Sequence, residues 1–258
     1  MIDIRNLNFS YPDTTALFSE FNWHVEGGES WSVLGLSGSG KTTLLLLLAG
    51  LIRPPEGEIL ISGNKITRPR PETGLVMQEH GLLPWETVEK NIRLGFRIRK
   101  FYGPDGKHSP ELTKFDKEQE TDAVEYWLDR LSIAHVRNKF PFKISGGQKQ
   151  RAAIARTMVL KPNLLLLDEP FSSLDLKTRE DMQNLILNLK QENSITIITV
   201  THNLEEAVYL GKKLLVLQNE ANKVLMFNNP GAESSDYRHR EEYSKMCSEL
   251  QKVMETLK

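Results

Sequence analysis

Apolar residues follow two rhythms along this chain. They alternate with polar ones from Ile2 to Phe9 and again from Phe21 to Val25, with breaks at Pro12-Asp13 and Gly27-Gly28. A period of two between turn residues predicts antiparallel strands that each bury one face. Ser32 to Leu36 is a short apolar strand running into glycines, and a leucine-rich helix over Lys41 to Leu51 is expected after it. Pro54-Pro55-Glu56-Gly57 ends that helix, and Glu58 to Ile61 and Leu75 to Met77 read as further strands.

From Pro84 the rhythm changes. Residues 87–140 are charged and helical in period, and Val124, Trp127, Leu128 and Leu131 share one helix face. Inside this stretch Phe101 to Pro110 is loaded with turn formers and reads as an exposed loop. After Lys143 continuous apolar runs return at Leu164 to Leu167 and Ile195 to Val200, as parallel strands covered on both faces require. Helical segments near 174–192 and 203–210 separate and follow them. This order predicts an α/β fold: an N-terminal antiparallel β-subdomain, a core with parallel strands, and a helical subdomain inserted at about 85–160. In the final segment, Arg238 to Lys258, the residues Tyr243, Met246, Cys247, Leu250, Val253, Met254 and Leu257 recur at spacings of three and four. They predict an amphipathic helix that packs on its own domain or faces a partner.

Composition narrows the setting. The 33 basic and 34 acidic residues nearly cancel, so net charge offers no case for a nucleic-acid partner. A single cysteine, Cys247, cannot form an internal disulfide and suits a reducing compartment. The N-terminus alternates, unlike a signal peptide. The longest apolar run, Leu44 to Leu48, continues to Ile52 only through a glycine and falls well short of the ~20 residues of a membrane span. A cytoplasmic protein is expected, with any membrane role supplied by a partner.

Candidate chemistry begins at Gly35-Leu36-Ser37-Gly38-Ser39-Gly40-Lys41-Thr42, which matches the phosphate-binding pattern G-x-x-x-x-G-K-[ST] at each specified position. Glycines let successive backbone N–H groups turn inward around phosphates, and the helix start that follows favours negative charge. Gly35, Ser37, Gly38, Ser39, Gly40, Lys41, Thr42 and Thr43 are therefore the candidate nucleotide-binding set, with Lys41 for the terminal phosphates of ATP and Thr42 for Mg²⁺. A second signal is the apolar run Leu164 to Leu167 ending in Asp168-Glu169. Taken alone, a strand ending in two acids is either a helix cap or an acidic sheet edge. Beside a phosphate loop it places Asp168 near the metal and Glu169 where a general base could polarise water.

Ile144-Ser145-Gly146-Gly147-Gln148 resembles the signature motif of ABC ATPases, with isoleucine in place of the usual leucine. The resemblance runs from about Met1 to Asn228 and is carried by motifs in order. It implies a P-loop NTPase fold of the ABC type over residues 1–230, followed by the C-terminal helix at 231–258. It implies that Ser145, Gly146, Gly147 and Gln148 cap ATP held by another subunit, and hence a homodimer or an ABC heterodimer across the nucleotide. Tyr11 resembles the aromatic residue that stacks on adenine, although a purely structural role for it is open. Gln78 matches the glutamine that reaches Mg²⁺ and water, alongside Thr42 and Asp168 as metal ligands. In Ser172-Ser173-Leu174-Asp175, Ser173 and Asp175 match the loop that touches the other subunit's site, and His202 matches the histidine that contacts the terminal phosphate. Glu169, His202 and Gln78 are thus the implied catalytic set.

Leu83-Pro84-Trp85-x-Thr87-Val88 is similar to the wording of the importer subgroup for nitrate, sulfonate and taurine, although Pro84-Trp85 could equally pack at a subdomain joint. The implied setting is the inner face of the cell membrane, with permease subunits and an extracytoplasmic substrate-binding protein as partners. An exporter motor or a nucleotide-dependent regulator would share the same engine. A loop around Phe101 to Asp116, with Lys107, His108 and Lys114, widens the gap between Gln78 and Ser145. It is either a solvated insertion or a contact for permease or lipid headgroups.

Overall fold

In the computed structural model, residues 1–13, 15–99, 116–218, 224–234 and 236–256 are described. The loop carrying Lys107, His108 and Lys114 lies outside them. β1 (Ile2–Phe9) and β2 (Phe18–Val25) form an antiparallel pair, and β4 (Glu56–Ile61) and the two-residue β5 (Asn64–Lys65) extend it in the order β2-β1-β4-β5. β2 begins at Phe18, ahead of the alternation that starts at Phe21. The cause is a register shift in which Glu20 adopts a φ of 49°, moving the inward positions from Phe18 to Phe21, Trp23 and Val25. β1 makes the matching change of phase at Asn6, φ 47°, so that Ile2, Ile4, Leu7 and Phe9 all point inward.

The second sheet runs in the order β10-β9-β3-β8-β7-β6, built from β3 (Ser30–Gly35), β6 (Thr73–Val76), β7 (Leu164–Asp168), β8 (Thr196–Val200), β9 (Lys213–Leu217) and β10 (Val224–Asn228). Five of these strands are parallel, and β10 joins β9 antiparallel at the edge. The sequence pattern did not single out β9 and β10. Lys213-Leu214-Leu215-Val216-Leu217 follows the apolar helix α6 (Leu204–Leu210) across one glycine and a lysine, and an apolar run buried on both sides has no helix-or-strand period of its own.

The parallel strands are mostly apolar because each serves two cores, although Ser32 of β3 and Thr196 and Thr199 of β8 are buried with them. Leu164 and Leu166 of β7, Ile198 and Val200 of β8, and Leu215 and Leu217 of β9 face α1 (Lys41–Leu48) and the antiparallel sheet. Leu165 and Leu167 with Ile197 face the helices on the opposite side, and Leu214 and Val216 meet a third cluster with α6 and the C-terminal helix α7 (Glu241–Thr256). Each such buried leucine or isoleucine contributes about 1.5–3 kcal/mol.

Between β6 and β7 lie α2 (Val88–Arg99), α3 (Lys117–Arg130) and α4 (Gly146–Met158). Val124, Leu128 and Leu131 are fully buried among them, with Trp127 close behind. Arg137 binds both Glu89 of α2 and Glu125 of α3, which raises its own pKa and lowers those of both carboxylates. α5 (Leu176–Asn193) connects β7 to β8. α7 docks through Leu250, which is fully buried, with Tyr243, Met246, Cys247 and Met254 alongside it on the α6 side of the molecule. No helix among the described residues is long and apolar enough to cross a membrane.

Candidate nucleotide site

The strand order β3-β8-β7-β6 sets four carboxyl ends side by side, with Val33 opposite Val200, Val200 opposite Asp168, and Leu167 opposite Val76. The phosphate loop leaves β3, His202 follows β8, Asp168-Glu169 closes β7, and Gln78 follows β6. Ligands in open α/β sheets bind along such an edge. A cleft of about 590 Å³ opens there, lined by Tyr11, Thr15, Leu17, Ser37, Gly38, Gly40, Lys41, Thr42, Thr43, Glu169 and His202.

Gly40 caps α1 from a left-handed conformation, φ 91°, and supplies no side chain to the helix start. The first amides of α1 are thus left for a ligand at the positive end of the helix dipole. A side chain at Gly40 would also press on the Phe18 ring, 3.2 Å from a built Cβ. Lys41 is buried, and its ammonium donates to the carbonyls of Gly35 and Leu36, each at 2.9 Å. Burial lowers its pKa, against the pull of the Glu169 and Asp168 carboxylates that raise it. The hydroxyl of Thr42 donates toward both oxygens of Asp168 at 3.2 and 3.1 Å. Burial raises the Asp168 pKa, the Thr42 hydrogen bond opposes it, and the charge of Glu169 adds to it. Ser39 is buried under the loop, and its hydroxyl has no hydrogen-bond partner.

Glu169 adopts φ 43°, a left-handed backbone that costs a non-glycine residue roughly 1–3 kcal/mol and is usually found where a site requires it. Its amide donates to Val200 O at 2.9 Å and its carbonyl accepts from Ser172 Oγ at 3.1 Å, which hold the turn. Its Oε1 lies 3.1 Å from Nδ1 of His202, whose side chain is 64% exposed on the cleft. Tyr11 is 41% exposed, with its ring edge-on to Phe9 and its hydroxyl 3.4 Å from that of Thr43.

Not every expected residue enters this cleft. Gln78 lies on an exposed turn beyond β6 and is not part of the lining. The segment after it is tied to α4 instead: Arg156 donates to Gly81 O at 2.6 Å and His80 O at 2.9 Å. Ser145, Gly146, Gly147 and Gln148 lie outside the cleft too. Ser145 is the N-cap of α4 in a reciprocal capping box, its hydroxyl accepting from the Gln148 amide at 3.3 Å and its own amide donating to Gln148 Oε1 at 3.0 Å. Gly147 packs so close to α5 that a built Cβ would lie 2.6 Å from Thr178 Cγ2. Ser173 and Asp175 are exposed near Gly146, and Asp175 caps α5 by accepting from the Thr178 amide at 3.1 Å. Thr15 and Leu17, in contrast, line the cleft without having been expected. They precede β2 in a stretch that reads as loop when the strand is taken to start at Phe21.

A phosphate loop at one strand end, a carboxylate pair at another and a histidine between them define a P-loop nucleotide-binding protein. A protein-family profile described as ABC transporter matches residues 18–172. The aliphatic sulfonates import ATP-binding protein SsuB of Bacillus cereus is 37% identical over 82% of this chain and 77% of its own length. The nitrate import ATP-binding protein NrtD of Synechocystis sp. is 34% identical over 90% of this chain and 84% of its own. Among solved structures, the ATP-binding cassette MJ0796, in a dimeric post-hydrolysis state bound to ADP and Pi, superposes with a TM-score of 0.74 at 26% identity, covering 88% of this chain and 98% of that one. The chain belongs to the ABC transporter family. It is an ATP-binding subunit with ATPase activity.

Proposed function

We propose that this chain is the motor of an importer for small organic or inorganic anions, of the nitrate, sulfonate or taurine kind, and that it works as a dimer closed by ATP. The observation that carries the reading is the single cleft in which Lys41, the Thr42–Asp168 pair and the Glu169–His202 pair converge. Lys41 exchanges its carbonyl partners for the terminal phosphates, and the open N-terminus of α1 receives the rest of their charge. Tyr11 offers its exposed ring to the adenine. The hard oxygens of Thr42 and Asp168 suit Mg²⁺, with Gln78 as a further ligand. Mg²⁺ bound there would neutralise charge on the phosphates. Glu169 takes a proton from the attacking water, while His202, within hydrogen-bond distance of it, holds the γ-phosphate side of the cleft.

Ser145 to Gln148 line no part of their own cleft, which supports their use on a partner's nucleotide, with Ser173 and Asp175 beside them at the same edge. The permease is assigned to the surface around Gln78 and Trp85. Asn91, fully buried, hydrogen-bonds Leu83, Glu86 and Thr87 through its side chain and holds this loop rigid, while Trp85 stands 70% exposed on it. An aromatic residue presented this way is not packed at a joint within its own chain. The protein is placed on the inner face of the cell membrane, with an extracytoplasmic binding protein in the same system.

The test is Mg²⁺-dependent ATP hydrolysis by wild type beside Glu169→Gln and Lys41→Ala. Loss of the general base should lower kcat by about 10²–10⁴-fold. Lys41→Ala should weaken nucleotide binding as well. Unchanged turnover in Glu169→Gln would remove Glu169 from the mechanism.

A further inference from the structure

Glu206 is a carboxylate that the mechanism above does not use, buried to 5% side-chain exposure in the first turn of α6. Both of its oxygens are engaged, and by different elements. Oε2 accepts from the Thr201 hydroxyl at 2.7 Å, and Oε1 lies 3.5 Å from Nε of Arg179 on α5. Thr201 immediately precedes His202. Its hydroxyl accepts from the Asn203 amide at 3.0 Å and its own amide donates to Val33 O at 3.2 Å, so it sets the backbone on both sides of the histidine. Arg179 sends its other arm to Leu174 O at 3.1 Å, inside the loop that carries Ser173 and Asp175. Thr201, Glu206 and Arg179 thus form a continuous chain from the histidine that faces one chain's own nucleotide to the loop assigned to the partner's.

We infer that Glu206 is a positioning residue that makes these two loops move together. The inference rests on the reading of His202 and of the Ser173–Asp175 loop given above. A buried carboxylate is strongly destabilising when either partner leaves it, so neither loop can be displaced without exposing or stranding the charge. The Arg179 Nε contact is long, and that atom makes no proper hydrogen bond here. The link is therefore a charge pair with room to shorten, while the Thr201 end is a close hydrogen bond.

The test is a double-mutant cycle on steady-state ATP hydrolysis by the purified chain, with Thr201→Val and Arg179→Gln alone and together. Each single change should lower kcat by about 10–100-fold through misplaced groups, with KM for ATP unchanged, because neither residue lines the cleft. The double variant should be no slower than the worse single one, since both changes cut the same chain. Glu206→Gln should resemble Arg179→Gln, and Thr201→Ser, which keeps the hydroxyl, should restore turnover. Thermal unfolding of each variant identifies any that fail to fold, in which case Thr201→Ser against Thr201→Val at matched stability decides the question. Losses that multiply in the double variant, or a Thr201→Val enzyme with wild-type kcat, overturn the proposal. A fully active His202→Ala variant would instead overturn the role given to His202, so the two failures are distinguishable.

Discussion

Lys41 and Asp168 show how much the site gives up in stability for its chemistry. Lys41 donates its hydrogen bonds to the loop's own carbonyls, and Asp168 is held in a buried position where ionisation is disfavoured. An acid whose folded pKa lies above its unfolded one binds its proton more tightly in the folded state. Its penalty is therefore fully present at neutral pH and is relieved as pH falls through the raised folded value. Asp168→Asn keeps an oxygen to accept from Thr42 and removes the charge. It should raise the melting temperature at neutral pH, and its advantage over wild type should shrink on acidification into the carboxylate range, while ATP hydrolysis is lost. Thermal unfolding across pH checks this. A variant less stable than wild type at neutral pH would contradict it.

Among the elements, α7 is the clearest case of a helix held by one face. Leu250 is its fully buried side chain, whereas neighbours such as Glu249 are exposed. Leu250→Ala should cost about 2–5 kcal/mol in denaturant unfolding, a lost transfer term plus a cavity. Glu249→Ala should stay within about 0.5 kcal/mol. Similar costs for both would mean that the helix is not docked through this face. The spacing of Tyr243, Met246, Cys247, Leu250 and Met254 was legible in the sequence, and so was the helix. Which surface it covers was not, because an apolar stripe specifies that it must be buried and not what buries it. The strands divide in the same way. β1 could be read from its ends, but the shifts at Asn6 and Glu20 broke the alternation that would have marked all of β2. β9 has no period to read because α6 and α7 cover one side and α1 the other.

At the scale of the whole molecule, one chain presents a nucleotide cleft on one edge and the capped Ser145–Gln148 turn elsewhere, with an exposed Ser173–Asp175 loop beside that turn. Two copies arranged so that each turn meets the other's cleft would bury ATP between them. Nucleotide that binds across such an interface stabilises the dimer by mass action. MgATP should therefore convert Glu169→Gln from monomer to dimer in light scattering, and Ser145→Ala in the same background should weaken that dimer. A Glu169→Gln protein that remains monomeric at saturating MgATP would falsify the closed-dimer reading.

The sequence by itself determined the chemistry. A phosphate loop, an acidic strand end and a histidine after an apolar strand each need specific residue types at specific spacings, and such local requirements are written in the order of residues. It also determined the α/β class, because parallel strands buried on two faces read as nearly continuous apolar runs, as at Leu164 to Leu167. Only the tertiary structure showed how these segments come to share a cleft. Lys41, Glu169 and His202 are far apart in the chain and meet because β3, β8 and β7 are neighbours in the sheet, an order set by which strands can pair while helices cover one face and α1 with the antiparallel sheet covers the other. It alone placed Gln78 and Ser145–Gln148 outside the cleft, and it alone put Glu206 between Thr201 and Arg179. A buried charge finds its partners only once the chain has folded around it.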